Sequence, residues 1–335
     1  MIGQWGLGLA MWTRRAFVMG TTLAAGLVPL GRARAAEAWP QRPVSVVVPF
    51  AAGGSADLVG RLLAQRLQMR FGTPFVVENR GGAGGAIGAG VVAKAAGDGY
   101  TLLIGTVSTH AINPALYAKL PFDAERDFVP ISLLVRLPNL LTVSNDVPAK
   151  TVPELVAYLR ENDGKVNFGS SGNGTSSHLA AVMFQRATGT RMTHVPFRST
   201  ADEMTSMIGG SIQVAIDSMT TIWPLAQAGQ VRALAVSTPQ RAAVAPDLPT
   251  IGESVKGFEA TGWQGLYAPA GTPRAIVEQI AAEVKRIFSD PEVVAALANV
   301  GGEPAPMTPD AFAEFARSER AKWAEVVKAA GVRIE

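Results

Sequence analysis

The apolar positions between residues 44 and 106 alternate between a strand period and a helix period. Val44-Ser45-Val46-Val47-Val48 is a β-branched run ending at Pro49, the pattern of a parallel strand covered on both faces. Leu58, Val59, Leu62, Leu63 and Leu67 then recur at helical spacing. Ser55 or Ala56 stands at the expected cap, and Asp57 falls in the first turn, where negative charge is favourable. The unit repeats: residues 74–78 predict a second strand and the small residues to about Lys94 a helix. Residues 100–106 predict a third strand, leading to a short helix near residues 113–116, and residues 128–135 extend the sheet. Strands alternating with helices at this spacing predict an α/β fold with a doubly wound, mostly parallel sheet.

Pro138-Asn139 then interrupts an apolar strand that continues as Leu140-Leu141-Thr142-Val143, where a crossing into a second domain is expected. Thr151-Val152-Pro153-Glu154 reads as a capping box with proline in the first turn, opening a helix to about Glu161. A short strand at 166–168 runs into the small polar residues 169–177 and then a helix from about His178 to Thr188, repeating the opening architecture. A strand at 192–196, a loop at 197–200, a helix to about Ile208 and a strand at 212–216 follow, the last ending at Asp217. An acid at the carboxyl end of a strand belongs in the crevice region of such sheets. After a strand at 231–237, residues 258–269 read as the return crossing. The expected domains are 36–138 with 260–335, and 139–259, with a hinge near 137–143 and 257–265. Three closing helices, one from Thr272-Pro273 to about Phe288 and two capped by Asp290-Pro291 and Thr308-Pro309, read as packing elements.

Composition changes this picture in three ways. With 335 residues, 48% of them hydrophobic, the chain is long enough for two packed domains. The absence of cysteine excludes disulfides, thiolate metal sites and a cysteine nucleophile. Residues 1–35 carry Thr13-Arg14-Arg15-Ala16-Phe17, an apolar run at 21–30 and Ala33-Arg34-Ala35, which together read as a twin-arginine export signal cleaved near Ala35, with Met11 as an alternative start. That segment holds four arginines and no acid, so its removal turns the formal charge of +3 into 26 cations against 27 acids. No basic nucleic-acid-binding surface is expected.

Candidate chemistry concentrates in two loops. Gly53 and Gly54 leave backbone exposed where a helix begins, and free N–H groups at a helix N-terminus form an anion site for a carboxylate or a phosphate. The loop at 170–177 repeats the device on the other domain. If the chain crosses twice, the two face each other across a cleft, and N–H groups from both sides can hold a carboxylate without a buried arginine. The enzyme readings lack a required part. Ser171 sits in Gly-Ser-Ser-Gly-Asn, which misses the last glycine of the hydrolase elbow, and nothing in the spacing places His178 as its base. Gly88-Ala89-Gly90-Val91-Val92-Ala93 fits a dinucleotide fingerprint but begins inside the predicted helix, with Asn113 where the ribose acid belongs. No His/Asp/Glu cluster has metal-ligand spacing, so neither metal nor cofactor is expected.

The combination of Pro49-Phe50-Ala51-Ala52-Gly53-Gly54-Ser55-Ala56-Asp57, Val77-Glu78-Asn79-Arg80, Gly82-Ala83-Gly84-Gly85, Ser171-Gly172-Asn173-Gly174-Thr175-Ser176-Ser177-His178-Leu179, Val195-Pro196-Phe197 and Tyr267-Ala268-Pro269-Ala270-Gly271-Thr272-Pro273 resembles the solute-binding proteins of tripartite tricarboxylate transporters, the Bug family. The resemblance implies a two-lobed periplasmic binding protein of type II, a Venus flytrap. It would capture a small mono-, di- or tricarboxylate or aromatic acid in the periplasm, as a monomer, and deliver it to membrane permease subunits. It also implies ligand contacts from Phe50, Ala51, Gly53, Gly54, Ser55 and Asp57, from Ser170, Ser171, Gly172, Gly174 and Thr175, and from Thr106, Ser108, Thr109 and Asp217. The chain departs from the family pattern at Gly81, where proline is common, and at Ser199, where glycine is common; Arg198 beside it is a candidate contact to the ligand's far end. The rival readings are a serine hydrolase using Ser171 and His178, and an orphan binding protein feeding a sensor.

Overall fold

The computed structural model describes residues 39–331, 333 and 334, so the expected export signal lies outside the described residues. The chain runs β1 (Val44–Val48), α1 (Ser55–Phe71), β2 (Phe75–Asn79), α2 (Ala86–Ala93), β3 (Thr101–Thr106), α3 (Asn113–Leu116) and β4 (Phe128–Leu137). It then continues through β5 (Asn139–Val143), α4 (Val152–Glu161), β6 (Asn167–Ser170), α5 (Ser176–Thr188), β7 (Thr193–Pro196), α6 (Thr200–Ile208), β8 (Val214–Ser218), α7 (Met219–Gln227), β9 (Arg232–Val236) and α8 (Ile251–Ser254). It closes with β10 (Gly262–Pro269), α9 (Arg274–Phe288), α10 (Pro291–Ala298), β11 (Glu303–Pro304) and α11 (Pro309–Ala330).

These strands form two sheets, ordered β11-β4-β10-β3-β1-β2 and β7-β6-β8-β5-β9. Both are mixed, with β1–β4 sharing one direction in the first sheet and β6–β9 in the second. β10 runs antiparallel to β3 and β4, β11 to β4, and β5 to β8 and β9. The reason is the double crossing. β4 ends at Leu137 and β5 starts at Asn139, and β10 starts at Gly262 opposite Leu137, so each crossing strand enters its new sheet at the end where its neighbours finish. The remaining strands of the two sheets, β11 aside, therefore point their carboxyl ends at the same gap, the place where open α/β sheets put their ligands.

The two crossings lie side by side and are tied. Asn139 Nδ2 donates to the Ala260 carbonyl at 2.6 Å, Ser237 Oγ donates to the same carbonyl at 2.7 Å, and Asn139 N–H donates to Ser237 Oγ at 3.0 Å.

Each sheet is covered on both faces by apolar side chains. Val44, Val46 and Val48 pack with Val59, Leu63 and Leu67 of α1 and with Val277, Ile280 and Val284 of α9. On the opposite face Val47, Leu103 and Leu133 meet Phe312 and Trp323 of α11. The second sheet buries Leu141, Val143 and Ile216 on one face and Leu140, Ala215 and Val236 on the other. Full burial of such a side chain contributes about 1.5–3 kcal/mol, which is why apolar runs of five residues suffice to define the strands.

Helix starts differ from expectation in detail. Gly54, not Ser55 or Ala56, caps α1, and α5 begins at Ser176 with Thr175 as its cap. Only half of the expected box at Thr151 forms: Thr151 Oγ1 accepts from Glu154 N–H, but the Glu154 carboxylate accepts from Lys150 N–H. The reciprocal box is at Thr250 and Glu253.

Candidate binding pocket between the two sheets

The loop after β1 is shaped by a carboxylate that does not face the gap. Asp57 Oδ2 reaches back to accept the Gly53 N–H at 3.0 Å and the Arg61 guanidinium at 3.0 Å. Asn79 Nδ2 donates to Asp57 Oδ1 at 2.9 Å and to the Phe50 carbonyl at 3.1 Å, which joins the loop to the end of β2. Burial pushes the Asp57 carboxyl up, but the hydrogen bonds from Arg61, Gly53 and Asn79 and the charge of Arg61 outweigh it and hold it below the usual range. With Gly53 N–H consumed, the first turn of α1, beginning at Ser55, still offers N–H groups to a guest.

The loop between β6 and α5 satisfies most of its own donors. Ser171 N–H donates to Ser177 Oγ at 3.1 Å, Gly172 N–H to Ser170 Oγ at 3.2 Å and Gly174 N–H to His178 Nδ1 at 3.1 Å. Ser176 N–H crosses the gap to Ser108 Oγ at 3.0 Å, in the turn of helix at Ser108–Ile112 that follows β3. Ser171 Oγ is bonded to Ser177 Oγ at 3.0 Å, and His178 Nδ1 is occupied by the loop backbone, so the pairing that the hydrolase reading requires is not formed. The serine–histidine contact that does form is Ser170 Oγ to His194 Nε2 at 2.6 Å, and Ser170 is wholly buried. His178 and His194 stack with ring centroids 4.1 Å apart, and His194 stacks on Phe168 at 4.7 Å. Burial lowers both imidazoles to about 4, with His178 adding to the effect on His194.

Between the sheets lies a cavity of about 50 Å³. Of the residues expected at a site, Phe50, Gly54, Ser55, Thr106, Ser108, Ser171 and Asp217 line it. Ala51, Gly53, Asp57, Thr109, Ser170, Gly172, Gly174, Thr175 and Arg198 do not. Thr109 Oγ1 accepts the Thr106 N–H at 2.9 Å and so shapes the turn; Thr175 Oγ1 donates to the Gly172 carbonyl at 2.7 Å and caps α5. Arg198 is exposed outside the lining. Gly174, at φ +75°, sits where a Cβ would fall 2.3 Å from Leu116 on the opposite side.

What the sequence reading passed over is the place of α6 at the cavity. Its cap Ser199 and first residue Thr200 line the cavity, and a Cβ on Gly54 would stand 3.7 Å from Ser199 Cβ, so the N-termini of α1 and α6 meet across it. Ser176 at the start of α5 and Ser218 at the cap of α7 join them. Four helix N-termini thus converge on one cavity, and none of its described lining residues is Lys, Arg or His. The arrangement offers an anion N–H groups and hydroxyls, beside the carboxyl of Asp217. The signal for α6 was present as Ser199-x-x-Asp202: Ser199 Oγ accepts the Asp202 N–H at 3.2 Å. Gln264 on β10, whose Nε2 donates to Ser55 Oγ at 3.1 Å, had no local signal because only the antiparallel return of the chain brings it to α1.

A family model described as tripartite tricarboxylate transporter family receptor matches residues 59–332. The chain is similar to the structure of R. palustris Rpa4515 with adipate, at 36% identity and a TM-score of 0.86, covering 88% of this chain and 99% of that one. It is similar to periplasmic binding protein BugD, at 35% identity and 0.85, covering 89% and 100%. MatC from Rhodopseudomonas palustris with bound malate shares 33% identity with a TM-score of 0.81, over 86% and 99%.

Proposed function

The chain belongs to the tripartite tricarboxylate transporter receptor family, and on that premise we propose that it captures a small organic carboxylate between its two sheets and hands it to the membrane permease subunits of such a transporter. The observation that carries this reading is the convergence of four helix N-termini on a cavity with no cationic side chain among its described lining residues. N–H dipoles and hydroxyls hold a carboxylate strongly once water is excluded, and they release it when the cleft opens. The relatives' adipate and malate fit this chemistry. The protein works in the periplasm, exported by the twin-arginine signal in residues 1–35 and cleaved near Ala35. The lobes are 36–138 with 260–335, and 139–259, and they turn about the paired crossings.

A thermal-shift panel of mono-, di- and tricarboxylates and aromatic acids tests the reading. At a hundredfold excess over Kd the bound acid is expected to stabilise the fold by about 2.7 kcal/mol. The reading is overturned if no acid raises the melting temperature while a generic ester is hydrolysed and Ser171→Ala abolishes that hydrolysis.

A further inference from the structure

The cavity also holds acceptors that no lining donor meets. Gln264 is 2% exposed; with its Nε2 given to Ser55, its Oε1 is buried without a partner. On the second sheet Asp217 is 4% exposed and lines the same cavity. Its Oδ1 accepts the Ser218 N–H at 2.6 Å, and Oδ2 meets no N–H or hydroxyl donor.

Behind Asp217, wholly buried, stands Glu203 of α6, whose two oxygens likewise meet no N–H or hydroxyl donor. It is packed under β6 so closely that a Cβ on Gly169 would fall 2.7 Å from its Oε1. Two carboxyl groups buried together resist both ionising. Burial, then the charge of Asp217 and the carboxyl-to-carboxyl hydrogen bond, push Glu203 well above the usual range, so Glu203 is a donor to Asp217. A carboxylate accepts at about four positions, and Ser218 N–H and the Glu203 proton fill two of them.

Resting on the carboxylate reading above, we propose that the pocket selects an acid that carries, besides its bound carboxylate, a hydrogen-bond donor, an ammonium or a hydroxyl. That donor meets Asp217 and Gln264, and Glu203 is the positioning residue that holds Asp217. A second carboxylate would stand against the buried carboxyl groups of Asp217 and Glu203 with no lining cation to offset it, whereas a donor meets an acceptor left without a partner.

The test is calorimetric titration at neutral pH with acids matched in length and differing at one end: butyrate, succinate, 4-hydroxybutyrate and 4-aminobutyrate, with the same sets one carbon shorter and longer. At the best length the hydroxy or amino acid is expected to bind at least about tenfold tighter than both the dicarboxylate and the plain acid. Asp217→Asn should bring the dicarboxylate to within about twofold of the donor-bearing acid. Glu203→Gln, which keeps a donor to Asp217, should preserve the preference, and Glu203→Leu should erode it. The readout is the ratio between ligands, which a loss of folding does not move in this pattern. A dicarboxylate or plain acid that binds as tightly as the donor-bearing acid, or a ratio unchanged in Asp217→Asn, overturns the inference while leaving the carboxylate reading intact. If none of these acids binds while another acid of the thermal-shift panel does, the inference falls and the carboxylate reading stands; the carboxylate reading falls only on the outcome already stated for that panel.

Discussion

Glycines at the gap act by what they leave out. Gly53, Gly54 and Gly174 each approach the opposite side: a Cβ would stand 3.3 Å from Ala201, 3.7 Å from Ser199 and 2.3 Å from Leu116, respectively. Gly174 also requires φ +75°, a region costly for other residues. Gly174→Ala therefore carries two separable effects. The backbone strain, about 1–2 kcal/mol, destabilises the fold; the collision with Leu116 opposes only the closed arrangement and so lowers ligand affinity further. Gly189, at φ +62° with nothing within 4 Å of its Cβ position, is the control. Gly189→Ala should lose stability alone, and Gly174→Ala should lose stability and affinity, read by thermal melting and titration calorimetry. Equal affinity in the two variants would remove Gly174 from the closure.

At the scale of elements, α5 does two jobs. Its N-terminus presents Ser176 to the cavity, while Leu179 and Met183 pack into the cluster built from Leu116, Trp323 and Ile334. Its first turn also carries His178, stacked on His194 of β7. The pH dependence follows from these buried imidazoles. Both titrate near 4 in the fold, and His110, stacked on Tyr267 with centroids 3.9 Å apart, near 3, chiefly through burial, against about 6.5 unfolded. Between those values the unfolded chain binds more protons, so stability is full above about pH 6.5 and falls as the pH drops towards 4. The urea midpoint should decline across that window, and the decline should be shallower in His194→Gln, which loses one of the three titrating groups. A midpoint flat from pH 7 to 4.5 would contradict neutral, buried histidines.

At the scale of the whole molecule, polar ties join the two sides of the gap among the described residues. Ser176 N–H to Ser108 Oγ spans the gap, and the crossings are joined through Asn139, Ser237 and Ala260. A ligand that touches both sides of such a gap biases it shut. Ser108→Ala removes one tie worth about 0.5–1.5 kcal/mol. Its expected outcome is a larger radius of gyration in the ligand-free protein by solution scattering, with affinity reduced about two- to tenfold. An unchanged radius in the variant would show that the tie does not contribute to closure.

Much of this was legible along the chain, because the signals are local. The β-branched run at Val44–Val48, the helical spacing of Leu63 and Leu67, the interruption at Pro138 and the paired small-residue loops depend on neighbouring residues and report strands, helices and a double crossing directly. Asp57 shows where that stops: its position at a helix N-terminus was readable, but its turn away from the cavity depends on Asn79, which only the pairing of β1 with β2 brings within reach. The same holds for the cavity's far wall. Glu203 and Asp217 lie on different elements, Gln264 arrives on a strand from the other end of the chain, and α6 brings its N-terminus to the gap beside that of α5. Sequence by itself determined the family, the architecture and the anion-binding character, since these rest on local pattern. Only the tertiary structure decided which donors remain free and which acceptors lack a partner, because hydrogen-bond satisfaction is a property of groups brought together from distant parts of the chain.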